Sequence, residues 1–189
     1  YDAKGLLKTA IRDDNPVMIF ESRHLYFEAG PVPEEEYFVR IGEADIKREG
    51  ADLTIATYGF MVGHALRAAT DLEGEGLDIE VVDLRSLAPL DMATVLGSVG
   101  KTGRLLVVHD AWRNCGIGAE ITARVYDEMY GELKHPIQRL AHLDVPHPYS
   151  PALEDVVRPD QKKIVAGVRN MLGSNEPRNQ TAVYPPPNS

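Results

Sequence analysis

The arrangement of apolar and polar positions is clearest between Ala51 and Asp91. An apolar run from Leu53 to Tyr58 ends at Gly59. Beyond it Val62, Ala65, Leu66, Ala69 and Leu72 recur at the spacing of one helical face. Gly74 and Gly76 stop that helix, and a second apolar run follows from Ile79 to Val82. Strand, helix and strand at this spacing make one parallel βαβ unit, with the right-handed crossover that twisted sheets impose. The second run leads into Asp83, Arg85 and Ser86, polar groups at a strand's carboxyl edge, where open α/β sheets hold ligands. The pattern predicts an α/β fold.

The flanking sequence extends it. Asp2 opens a helix through Asp13, with Leu6, Leu7, Ala10 and Ile11 on one face, and Asp13-Asp14-Asn15-Pro16 ends it. Val17 to Phe20 reads as a buried strand ending in Glu21. A helix and a strand cannot close a core, so this piece is expected to belong to a domain whose remainder lies elsewhere. Gly30 to Tyr37, acidic and proline-bearing, reads as an exposed linker, and Arg40 to Glu49 as a short strand with Ile41, Ala44 and Ile46 partly buried. After the βαβ unit, Asp91 caps a helix through Val99, and Leu105 to His109 is a strand. Ala111 to Gly118 is a loop, Ala119 to Tyr130 a helix, and Ile137 to Leu140 the last strand. Asp144 to Pro151 is a proline-rich turn with a short helix starting near Ser150, and Asp160 caps a final helix bearing Ile164, Val165, Val168, Met171 and Leu172. From Gly173 the residues are polar and Pro-rich, with nothing to bury, so a disordered tail is expected.

Composition narrows the function classes. In 189 residues, 43% apolar and 26% charged is ordinary for a globular chain. The net charge of −9 argues against broad nucleic-acid binding and suits either a basic protein partner or a plain solvated surface. A single cysteine, Cys115, leaves no disulfide framework and suits a reducing compartment. No apolar run has the ~18 residues of a membrane span, and the opening shows no signal-peptide pattern. Starting at Tyr1 inside an element, the chain reads as a fragment or processed piece.

Candidate chemistry is sparse. The histidines, His24, His64, His109, His135, His142 and His147, are scattered without metal-ligand spacing. His109 with Asp110, at a strand's carboxyl end, is the best acid/base candidate, against the plainer reading of a histidine that structures a loop. Cys115 is expected to be a small buried hydrophobe rather than a nucleophile. Gly116-Ile117-Gly118 before a helix resembles half of a phosphate-binding turn, although helix entry alone explains it.

Four stretches in order carry a resemblance: YDAKGLLKTAIRDDNPVMIFE, VVDLRSLAPLD, KTGRLLVVHDAW with GIGAEI, and DVPHPYSPALED. Together they resemble the C-terminal part of the beta subunit of thiamine-diphosphate-dependent 2-oxo acid dehydrogenases, from Tyr1 to about Leu172. The resemblance implies a three-layer α/β/α transketolase C-terminal-like domain over 50–172, a linker and first strand over 30–49, and the end of a pyrimidine-binding domain over 1–29. It implies an α2β2 enzyme that decarboxylates a 2-oxo acid with thiamine diphosphate and passes the acyl group to lipoyl. Pyruvate is the first candidate substrate, and Mg²⁺ enters with the alpha subunit. The family's activating glutamate and active-site histidine lie upstream of the matched stretch. No catalytic or cofactor-binding residue is therefore assigned here.

One site carries over. In the resembled family the turn after this helix helps bind K⁺. TAIRDDNP matches it, which places carbonyls of Ala10, Ile11 and Asp13, with Asn15, at the ion. K⁺ needs several oxygens, and a helix C-terminus offers unpaired carbonyls at its negative end. An ordinary helix stop would look the same. Beta–beta contact and docking of the basic acyltransferase subunit-binding domain are the expected roles of the C-terminal domain, in a bacterial cytoplasm or mitochondrial matrix. Ala141 and His142 depart from the Gly-containing turn expected before Asp144. The rival readings are another transketolase-like thiamine enzyme and a stand-alone protein-binding module.

Overall fold

The computed structural model describes residues 1–173. The expected tail beyond Gly173 lies outside the described residues. Helix α1 (Asp2–Ile11) comes first, then a long extended stretch interrupted by a short 3-10 turn over Arg23–Phe27. The rest alternates: β1 (Asp45–Arg48), β2 (Leu53–Thr57), α2 (Met61–Glu73), β3 (Ile79–Asp83), α3 (Met92–Thr102), β4 (Leu105–Trp112), α4 (Ile117–Met129), β5 (Gln138–His142), α5 (Pro151–Val157) and α6 (Gln161–Leu172). The strands form one sheet in the order β1-β3-β2-β4-β5. All neighbours are parallel except β1, which runs antiparallel to β3 along the edge.

Continuous apolar runs make these strands because both sheet faces are covered. Leu53, Ile55, Val81, Leu106 and Val108 pack with α2 and α6 through Ala65, Leu72, Ile164 and Val168. The alternate positions Ala56, Val82, Leu105 and Val107 pack with α3 and α4 through Val95, Val99, Ile121 and Val125. The result is the three-layer α/β/α arrangement, and the period of two along β4 has a consequence at its end. The βαβ unit forms as the periodicity predicts, with Gly59 at φ 60°, Gly76 at φ 80° and the expected α2 face buried. Asp91 caps α3 and Asp160 caps α6, each through its carboxylate to the amide three residues on. Among the described residues no helix is long and apolar enough to cross a membrane.

Several expectations are corrected. Val17 to Phe20 forms no strand, and Met18 and Phe20 are 79% and 85% exposed. Among the described residues no strand lies beside this segment to complete a ladder, and an unpaired extended run is not a strand. The helix α1 stops at Ile11 rather than Asp13, and Asp2 lies inside its first turn instead of capping it. The edge strand shrinks to β1, with Ile46 exposed. Beyond Val99 the helix α3 continues to Thr102, where Gly103 in the left-handed region ends it. The strand β4 runs on to Trp112, β5 covers Gln138–His142, and α4 starts at Ile117.

Candidate functional site

The chain leaves β2 for α2 on one face of the sheet and leaves β4 for α4 on the other. The carboxyl ends of these adjacent strands are therefore the topological switch point, where open α/β sheets place their crevice. Tyr58 and His109 meet there with ring centroids 6.4 Å apart and nearly parallel. Burial, with the Asp110 charge behind it, pushes the Tyr58 phenol up.

His109 and Asp110 do not form a pair. Leu105, Val107 and His109 share one face of β4, and Leu106, Val108 and Asp110 the other, because successive strand residues point to opposite sides. His109 is fully buried. Its Nδ1 lies 3.0 Å from the carbonyl of Ala111, which can only accept, so the proton sits on Nδ1. Nε2 has no hydrogen-bond partner, and burial lowers the imidazole's pKa, so the ring is neutral. Gly116 and Gly118 explain themselves against this ring. A Cβ on Gly118 would lie 2.5 Å from Nε2, and one on Gly116 would lie 2.3 Å from the Trp112 carbonyl oxygen and 2.7 Å from Cε1 of the ring. The glycine pair admits α4 against a buried histidine, a packing role rather than a phosphate cradle.

Asp110 faces the other way, toward His142, His147, His24 and Arg158. Burial raises its carboxyl above the usual aspartate range, and Oδ1 has no hydrogen-bond partner. His142 Nε2 lies 3.1 Å from His147 Nδ1, and His147 Nε2 lies 3.3 Å from Glu154 Oε1. His24 packs on Phe60 at 4.7 Å, and His64 meets the same ring edge-on at 6.0 Å. Burial, followed by the Arg67 charge, depresses His64. His135 stands apart, its Nδ1 2.7 Å from the carbonyl of Pro136. Among the described residues no three His, Cys, Asp or Glu side chains converge as a metal site.

Cys115 is exposed, not buried, and sits at φ 56°. Its sulfur lies 3.7 Å from Asn114 Oδ1, in an open hollow of ≈ 420 Å³ lined also by Arg113, Ala119, Arg139 and Asp144, with no histidine in the lining. Asp83, Arg85 and Ser86 at the β3 edge are occupied internally. Arg85 forms ion pairs with Asp2 at 2.8 Å and Asp45 at 2.7 Å, while Lys47 pairs with the same two carboxylates at 2.8 and 2.7 Å. Burial opposes the Lys47 charge, but the hydrogen bonds to Asp2 and Asp45 outweigh it and raise its pKa. Ser86 donates to the carbonyl of Pro89 at 2.8 Å. This network ties the start of α1 to the sheet edge, which is why Asp2 is not a cap.

The end of α1 and the turn after it carry the residues expected at the K⁺ ion, Ala10, Ile11, Asp13 and Asn15. Ala10 O accepts from the amide of Asp13 at 3.3 Å. Asp13 Oδ1 accepts from the Asn15 amide at 2.8 Å and from its side chain at 3.0 Å. The backbone hydrogen bond, then the side-chain one, hold the Asp13 carboxyl below its usual range. Ile11, Asp13 and Asn15 are exposed. Oxygen atoms at a helix C-terminus are of the kind a hard cation takes, although Ala10 O and Asp13 Oδ1 already accept hydrogen bonds within the turn.

The contacts among His142, His147 and Glu154 had no sequence signal, since their spacing matches no helical or strand period. The model of the transketolase C-terminal domain family matches residues 42–164. Over 172 residues the chain is 48% identical to the beta subunit of acetoin:2,6-dichlorophenolindophenol oxidoreductase from Cupriavidus necator, covering 91% of this chain and 51% of that protein. It is 47% identical over 173 residues to the pyruvate dehydrogenase E1 component subunit beta of Bacillus subtilis, covering 91% and 53%. The chain thus spans about half the length of these curated relatives. Among solved structures, a split-gene transketolase described as an inactive beta4 tetramer superposes with a TM-score of 0.64 at 31% identity, over 72% of this chain and 44% of that one. With the domain model matched across both cores and the same three-layer sheet beneath it, this chain belongs to the transketolase C-terminal domain family.

Proposed function

We propose that this chain is the C-terminal region of the beta subunit of a thiamine-diphosphate-dependent 2-oxo acid dehydrogenase, with pyruvate as the first substrate to test. The carrying observation is the 47–48% identity, over 91% of the chain, to proteins named as the beta subunits of an acetoin:2,6-dichlorophenolindophenol oxidoreductase and of a pyruvate dehydrogenase E1 component. The physical reading agrees in kind. Met18, Phe20 and Phe27 are 79%, 85% and 93% exposed in the stretch between α1 and β1, large apolar side chains that suit burial against a further domain or subunit. On this reading residues 1–29 close an upstream pyrimidine-binding domain, and the C-terminal domain supports assembly with an alpha subunit and a second beta subunit. The net charge of −9 suits docking of a basic acyltransferase subunit-binding domain.

No residue of this chain is assigned to thiamine diphosphate. When bound by the whole enzyme, that cofactor supplies the carbanion chemistry of decarboxylation. For K⁺, carbonyls of Ala10, Ile11 and Asp13, with Asn15, would hold one side of the ion and brace the turn after α1. Mg²⁺ belongs with the alpha subunit, and the compartment is a bacterial cytoplasm or a mitochondrial matrix.

The test is isolation of the subunit from its natural source. The expected result is an intact mass well above 20.9 kDa, an alpha subunit in the same preparation, and thiamine-dependent decarboxylation of pyruvate. A mass near 20.9 kDa with no alpha partner would overturn the proposal. Exchanging K⁺ for Li⁺ in that preparation should lower its thermal midpoint. An unchanged midpoint removes the ion from the reading.

A further inference from the structure

The helix α5 buries none of its residues, so apolar contact does not hold it to the sheet edge. Its attachments are polar. Val157 O accepts from the amide of Leu143 at 2.9 Å, and the Lys163 ammonium donates to the carbonyls of Asp155, Val156 and Arg158 at 2.5, 2.9 and 2.6 Å. These secure its C-terminal end. Its middle is held through Glu154, by a line of contacts running back to β5. Glu154 Oε1 faces His147 Nε2 at 3.3 Å, His147 Nδ1 faces His142 Nε2 at 3.1 Å, and His142 Nδ1 faces the carbonyl of Leu143 at 2.7 Å.

Counting protons along that line gives a definite answer. A backbone carbonyl and a carboxylate only accept, so the nitrogen facing each must carry a hydrogen. The middle contact needs a third. Two neutral imidazoles hold only two. Closing all three contacts therefore requires one imidazolium shared by the pair, whereas two imidazolium rings would set N–H against N–H. Asp110 from β4 faces both rings, with Arg158 after α5 and His24 from the 3-10 turn also facing Asp110, and Asp155 pairs with Arg158 at 3.5 Å.

We propose that His142, His147 and Glu154 form a proton-operated clasp, which holds the proline-rich turn and α5 on the end of β5 when the histidine pair carries one proton beyond neutrality. Loss of that proton opens one of the three contacts and frees the middle of α5. The surface affected presents Tyr149, Leu153 and Val156, all exposed.

The experiment is amide hydrogen exchange on the full subunit at about pH 5.5 and about pH 8, corrected for the intrinsic pH dependence of exchange. In the unmodified protein, residues 144–157 should be roughly fivefold better protected at the lower pH, as for one half-exposed charged hydrogen bond. His147→Leu should give the low protection at both pH values. Glu154→Gln should give the high protection at both, because its amide N–H donates to a neutral His147 and supplies the missing hydrogen. Peptides from α6 should not change in any of them. Equal protection at the two pH values in the unmodified protein overturns the clasp. So does a Glu154→Gln variant that is weakly protected at both, or one that keeps the original pH dependence.

Discussion

Gly118 shows how much one absent methyl group decides. Its missing Cβ leaves room for the His109 ring, which would otherwise lie 2.5 Å away at Nε2. Neither the ring, fully buried between Tyr58 and α4, nor the helix backbone can give way cheaply. Gly118→Ala should therefore destabilise the fold by about 1–3 kcal/mol. Gly97→Ala is the control, since nothing lies within 4 Å of its Cβ and alanine favours the helix by about 0.5–1 kcal/mol. Denaturant midpoints of the two variants must move in opposite directions, and parallel shifts would refute the packing account. The Gly-Ile-Gly pattern was legible in the sequence, but its reason was not. The ring that requires it comes from a different element, the end of β4.

Among the elements, α3 is the one whose start is most firmly specified. Asp91 accepts from the Thr94 amide at 3.0 Å and its hydroxyl at 2.7 Å, and also from the Ala44 amide at 3.0 Å. One carboxylate thus caps the helix and pins the approach to β1. Burial works to raise the Asp91 carboxyl, but hydrogen bonds from Thr94 and Ala44 outweigh it and hold it below the usual range. Because the folded protein keeps this group ionised more readily, its contribution is intact at neutral pH and fades as acid protonates it. Asp91→Ala should cost about 1–2 kcal/mol at pH 7, read from thermal or denaturant unfolding. A loss that is no smaller at about pH 3 would contradict the ionised cap. The contrasting elements are the segment 17–20, extended without a ladder, and α5, helical without a buried face. Both depend on something other than their own sequence.

At the scale of the molecule, His109 is expected to contribute to the acid limb of stability. His109 is depressed chiefly by burial, so the unfolded chain binds a proton more readily than the folded one. Its contribution is intact above about pH 6.5 and is lost progressively below it. His109→Leu should flatten the fall in denaturant midpoint between about pH 7 and pH 5. A slope identical to the unmodified protein would rule out this origin. The clasp on α5 has the opposite sign, tightening locally over an interval in which the whole domain weakens.

Local periodicity was enough to determine the α/β class, the βαβ unit, the glycine stops and the caps at Asp91 and Asp160, because each rests on residues within a few positions of one another. The motif resemblance placed the chain in its family before any geometry. Tertiary structure decided the rest. It turned His109 and Asp110 to opposite faces, spent Asp2, Asp83 and Arg85 in an ion-pair network, and exposed Cys115. It also joined His142 to His147 and Glu154. The reason is physical. A strand's own pattern shows that its sides alternate, but which partner waits on each side depends on how distant strands stack into one sheet.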